Sequence, residues 1–158
     1  MIITFCGHSE MVKDEALYHK VLFHIRQATM DREVTFYLGG YGDFDALALK
    51  ACREYKQAHP SARLVFVTPY LDDRYLKNRE EILKNYDEIL YPEIETTPPH
   101  YAILKRNEWM VKHADFLIAS VDHGFGGAVK TLECAIRWHI PFVNLGKKRF
   151  EARNDIRK

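Results

Sequence analysis

The chain has 158 residues, the length of one domain, with 47% hydrophobic and 28% charged residues, enough to bury a continuous core without disulfide or metal staples. Its formal net charge of +1 argues against a duplex-DNA binder, whose domain normally carries a strongly basic face. No apolar run approaches the ~20 residues that cross a bilayer, and the opening Met1-Ile2-Ile3-Thr4-Phe5-Cys6 has neither a basic n-region nor a small-residue cleavage site, so it reads as a strand and the expected compartment is cytoplasmic.

Strand and helix patterns then alternate. Residues 2–6 form a β-rich run, and residues 14–29 carry Leu17, Val21, Ile25 and Ala28 at helical spacing behind Asp14 as an N-cap. Residues 33–38 predict a second strand, closed by the glycine-rich turn Gly39-Gly40-Tyr41-Gly42-Asp43. Phe44, Leu47, Ala48, Ala51, Cys52 and Tyr55 give 44–58 an amphipathic helical stripe. A third strand covers 63–68 and stops at Pro69, followed by a charged helix over 73–84 and a short strand over 88–91. A proline-rich loop at 92–99 precedes a helix over 100–113 and a buried strand over 115–121. Gly124-Phe125-Gly126-Gly127 opens a helix over 127–138, and 141–145 is the last strand. Residues 1–146 are therefore read as one domain, followed by a basic tail over 147–158.

Strands without polar alternation, separated by helices, imply a three-layer α/β domain of Rossmann-like layout around a mostly parallel sheet. Cys6, Cys52 and Cys134 lack CxxC spacing and read as buried reduced thiols. His113, His123 and His139 show no ligand spacing, so no metal is expected, and no cofactor is assigned.

In such a sheet, ligands bind outside the carboxyl ends of the strands. Four loops collect there: Gly7-His8-Ser9, Gly39 to Asp45, Thr68-Pro69, and Ser120 to Gly127. Two of them are glycine clusters that open helices, and a helix N-terminus offers free N–H groups to an anion. Asp43 and Asp45 would repel a phosphate at the first cluster and suit ribose hydroxyls or an exocyclic amine, although Asp43 also fits a plain N-cap. The second cluster has no acid after Asp122, so Gly126 and Gly127 take the phosphate. Neither cluster gives GxGxxG after the first strand, and GxxxxGK[ST] is absent, which excludes an ordinary dinucleotide fold and a P-loop NTPase. Arg106 offers a fork for a phosphate or carboxylate, with Asn107 beside it; pairing with Glu108 or Glu93 is the alternative. His8 is read as a general base, a ligand contact or a structural hydrogen bond at the strand end.

These segments together resemble the SLOG superfamily, the Rossmann-like group that contains DprA and LOG proteins, and in particular its small stand-alone YpsA-like members. The residues that carry the likeness are Gly7-His8, Gly39-Gly40-Tyr41-Gly42-Asp43-Phe44-Asp45, Pro69, Arg106-Asn107-Glu108-Trp109-Met110-Val111, the strand from Ala114 to Ala119, and Gly126-Gly127. The resemblance implies a Rossmann-like fold and a pocket for a nucleotide-derived small molecule, serving binding or sensing. It is compatible with a homodimer.

Two further functions follow from the resemblance. LOG enzymes and the related-looking nucleoside deoxyribosyltransferases act at N-glycosidic bonds through a helix carboxylate in the pattern GTxxE. This chain reads Gly127-Ala128-Val129-Lys130-Thr131 there, so the carboxylate is replaced by a hydroxyl that stabilises an oxocarbenium-like centre poorly. Glu133 is the remaining catalytic candidate on that helix, but its spacing to Arg137 is that of a surface i, i+4 pair. Leu132, Ala135, Ile136 and His139 mark the expected core face. The other function, by analogy with DprA, is binding of single-stranded nucleic acid, supported locally by the basic tail alone.

Overall fold

The computed structural model of the chain describes residues 1–12, 14–71 and 77–146. The element order is β1 (Ile2–Gly7), α1 (Glu15–Thr29), β2 (Thr35–Leu38), α2 (Asp43–Ala58), β3 (Arg63–Val67), α3 (Arg79–Leu83), β4 (Glu88–Leu90), a 3-10 turn at Pro99–Tyr101, α4 (Ala102–Lys112), β5 (Phe116–Ser120), α5 (Gly127–Arg137) and β6 (Phe142–Asn144). The helix expected over 73–84 is present as α3, and part of that range lies outside the described residues, as does the tail over 147–158.

Six strands pair in the order β4-β3-β2-β1-β5-β6, and every pairing is parallel. The pleat sends alternate side chains to opposite faces. Ile3, Phe5 and Ile118 pack with α1 and α2 residues such as Val21, Ile25, Phe44 and Ala48. Cys6, Leu117 and Ala119 pack on the other face with Val111 of α4 and Leu132 and Ala135 of α5. The result is a three-layer α/β fold of Rossmann-like layout, with apolar burial on both faces as its main stabilising term.

Asp14 caps α1 as its position predicts, accepting from Leu17 N at 3.2 Å. The α2 stripe buries Phe44, Ala48, Ala51, Cys52 and Tyr55. On α5 the buried set is Val129, Thr131, Leu132, Cys134 and Ala135. His139, expected on the core face, is instead exposed just beyond the helix with φ 56, because α5 ends at Arg137. All three cysteines are free and buried. None of the described helices is long and apolar enough to cross a membrane.

The chain runs outward from β1 through β2 and β3 to β4, then returns to place β5 on the other side of β1. The order of the strands reverses at the β1–β5 boundary. That boundary leaves a crevice at the carboxyl ends, between the openings of α2 and α5.

Candidate functional site

A cleft of about 480 Å³ occupies this crevice. Larger open grooves exist along α2 and α3, about 700 Å³, and along α1 and β6, about 1200 Å³. Neither is lined by the α2 and α5 openings together, whereas the smaller cleft is.

The cleft brings together Gly7, His8 and Ser9 after β1, Asp45 on α2, Arg106 and Asn107 on α4, and Gly126 and Gly127 at the start of α5. Gly39, Gly40, Gly42, Asp43, Thr68 and Pro69 do not line it. Thr68 is buried and its hydroxyl is engaged with the Tyr70 backbone at 3.0 and 3.2 Å. Asp43 turns to the neighbouring loop: its Oδ2 accepts from Met11 N at 2.9 Å, and its own N–H donates to Ser9 O at 2.8 Å. Asp43 therefore ties the loop after β1 to the α2 opening, outside the cleft lining.

Arg106 differs most from its expected role. Its side chain is 1% exposed. Nη1 donates to Gly39 O and Val67 O, each at 2.8 Å, and Nε donates to Asn107 Oδ1 at 2.8 Å. The guanidinium thus bolts the ends of β2 and β3 together below the cleft. Helical spacing cannot show this, because it does not reveal two strand-end carbonyls waiting for a donor.

Asp45 sits beside this buried cation. Its Oδ2 accepts from Tyr41 N at 3.0 Å. Burial pushes its carboxyl up to about 6, while the Tyr41 N–H and the Arg106 charge pull the other way. Burial lowers the Arg106 pKa, and Asp45 opposes that shift. Cys6, on the cleft floor, is the reverse case: burial raises its thiol well above the ordinary range, so it stays a thiol and is no nucleophile.

The α5 opening is bare by contrast. No side chain caps it, and a methyl group placed on Gly126 or Gly127 would meet nothing within 4 Å. Thr131, at the position where a GTxxE carboxylate would stand, is buried and donates its hydroxyl to Gly127 O at 2.8 Å. Glu133 lies on the exposed face of α5 and does not line the cleft.

Tyr41, His123 and Phe125 also line the cleft, and the sequence reading assigned none of them a role there. Rings stack from His8 to His123 at 3.5 Å and from His123 to Phe125 at 4.1 Å. His8 Nε2 lies 3.1 Å from Asp122 N and 3.3 Å from Asp122 Oδ1. Burial and His123 lower the His8 pKa against the pull of Asp122, so the neutral ring accepts the Asp122 N–H. His8, Asp122 and His123 bring ligand atoms within 4.8 Å of one another, a set that spacing within the C-terminal histidines could not show. Their composition suits a divalent ion, and the two imidazoles lie 15° from parallel.

No family model and no curated protein sequence matches the chain. Solved structures do. DNA processing protein A from Helicobacter pylori, described for its single-stranded DNA binding mode, superposes with a TM-score of 0.69 at 16% identity, over 99% of this chain and 73% of that one. DprA from Streptococcus pneumoniae gives 0.61 at 14% identity, over 90% of this chain, which spans about half (49%) of that longer protein. TM1055, a structural-genomics target, gives 0.53 at 12% identity, over 89% of this chain and 71% of that one. At these identities the likeness concerns architecture alone, and the chain shares the Rossmann-like α/β fold of these proteins.

Proposed function

We propose that this protein binds a nucleotide or a nucleotide-derived small molecule in the β1–β5 crevice, as a binding or sensing domain of YpsA-like type. The observation that carries the reading is the uncapped, unobstructed α5 opening, which faces the same cleft as the Asp45 carboxyl. The N–H groups at Gly126 and Gly127 suit a phosphate. Asp45 suits ribose hydroxyls. His8, Ser9 and Asn107 contribute polar atoms to the walls. Arg106 supports the site as a positioning residue, through Gly39 and Asn107, with its charge set behind the cleft.

An N-glycosidic hydrolase gains nothing from the geometry. Ala128 and Thr131 supply no carboxylate, the Thr131 hydroxyl serves the helix backbone, and Glu133 does not line the cleft. Binding of single-stranded nucleic acid has one observation in its favour, the superposition on Helicobacter pylori DNA processing protein A.

A thermal-shift screen of the purified chain against nucleoside mono-, di- and triphosphates, with mass spectrometry of the heat-denatured supernatant, tests the reading. We expect a rise in Tm of several degrees for at least one nucleotide, or a nucleotide that co-purifies. No shift with any of them and no co-purified nucleotide overturns it.

A further inference from the structure

We infer that Phe125 is a stacking platform for the planar base of the ligand, held in place by the His8–His123 ring column beneath it. The inference rests on the nucleotide reading above and adds the part of the ligand that reading leaves unassigned.

Phe125 is 72% exposed and lines the cleft, yet it is not a loose surface ring. His123 stacks against it at 4.1 Å and 25°, and His8 stacks beneath His123 at 3.5 Å and 15°. The base of the column is fixed by β1 and by the Asp122 N–H donated to His8 Nε2. Three rings in register, anchored at one end, present a flat apolar face at the other. Such a face suits a fourth ring, because stacking on an aromatic side chain is favourable for any base.

The column also carries an unmade bond. His123 Nδ1 is the one buried side-chain nitrogen or oxygen among the described residues with no hydrogen-bond partner. A buried polar atom left unpaired is costly. The ring that carries it lines the cleft beside Phe125.

The stereochemistry of a nucleotide fits this placement. The base and the 5′-phosphate leave the ribose on one face, and the 2′- and 3′-hydroxyls leave on the other. Phe125 and Gly126-Gly127 are adjacent in the chain on the α5 side, and Asp45 belongs to the α2 side. A base on Phe125 and a phosphate at Gly126-Gly127 therefore leave the hydroxyls turned towards Asp45.

The test is calorimetric titration of wild type, Phe125→Leu and Phe125→Tyr with the four ribonucleoside 5′-monophosphates and with ribose 5-phosphate, which has no base. We expect wild type to bind at least one monophosphate about tenfold or more tightly than ribose 5-phosphate. Phe125→Leu should lose most of that advantage with ribose 5-phosphate binding unchanged, and Phe125→Tyr should keep it. Monophosphate binding that is the same in wild type and Phe125→Leu overturns the platform and leaves the nucleotide reading standing. Absence of binding by every monophosphate and by ribose 5-phosphate, together with no shift by any di- or triphosphate and no co-purified nucleotide, overturns both.

Discussion

Gly42 and Gly126 occupy equivalent positions at the openings of α2 and α5, and their backbones are nearly superimposable, with φ/ψ of 92/174 and 98/178. Their surroundings are opposite. At Gly42 an added Cβ would lie 2.6 Å from Ser9 Cα, and the adjoining N–H groups of Tyr41 and Asp43 are taken by Asp45 Oδ2 and Ser9 O. At Gly126 an added Cβ would meet nothing. One conformation therefore has two settings: the α2 opening is closed by the protein's own atoms, and the α5 opening is uncovered. A glycine-rich turn before a helix shows only that the backbone must bend sharply. Whether the N–H groups are available depends on which side chains reach back.

The comparison is broken most severely at Arg106. Arg106→Met strips the donor from Gly39 O and Val67 O and leaves two buried carbonyls unpaired, so urea denaturation should show a loss of about 3–5 kcal/mol. Lys130→Met, an exposed cation on the first turn of α5, should leave stability within about 0.5 kcal/mol. Similar losses for the two would mean that the α2 side is no more tightly bolted than the α5 side.

The next effect separates strain from contact. Gly42→Ala and Gly126→Ala both force a side chain into a backbone region open almost only to glycine, at about 1–3 kcal/mol each. Gly42→Ala must also push Ser9 aside, so its unfolding free energy should fall further, by an additional ~2 kcal/mol. Equal losses would show that the Ser9 loop yields freely and that the first opening is not closed by packing.

A smaller effect concerns Asp45. Its carboxyl titrates near 3.8 when unfolded and is pushed up to about 6 in the folded chain. The folded state therefore holds more protons than the unfolded one between those values, and stability falls as pH rises through them. Measured as the difference between wild type and Asp45→Asn, stability should decline from about pH 4 to pH 6 and then level, by up to about 3 kcal/mol. A difference that grows with pH in that window would mean that the Arg106 charge dominates burial and holds Asp45 ionised.

The element order was legible in the sequence because each apolar run is short and bounded by glycine, proline or polar residues, and because α1 and α2 show an unbroken helical stripe. The position of the crevice was legible for the same reason, since a parallel sheet gathers its loops at one edge. Arg106 was not legible as a buried bolt. A lone arginine on a helix near the sheet edge reads as a fork for a ligand anion or as a surface pair, and the carbonyls it serves lie at Gly39 and Val67, well away in the chain. The ring column was hidden for a related reason: His8 and His123 are brought together only when β1 pairs with β5 and sets Gly7 against Ser120. The shortening of α5 at Arg137, which leaves His139 exposed, follows from the chain turning through φ 56 there, a turn the residue type does not announce.

An anion at the α5 opening would lie against the N–H groups of Gly126 and Gly127. Gly127→Asp tests this placement most directly. Gly127 has an ordinary φ and open space around it, and an acid in the first turn favours the helix, so the variant should fold with an unchanged or slightly higher Tm. Its carboxylate would stand where the phosphate is expected, so calorimetric titration with the nucleotide that shifts wild type most should show affinity at least tenfold lower. Unchanged affinity in a folded Gly127→Asp would place the anion elsewhere and contradict the account.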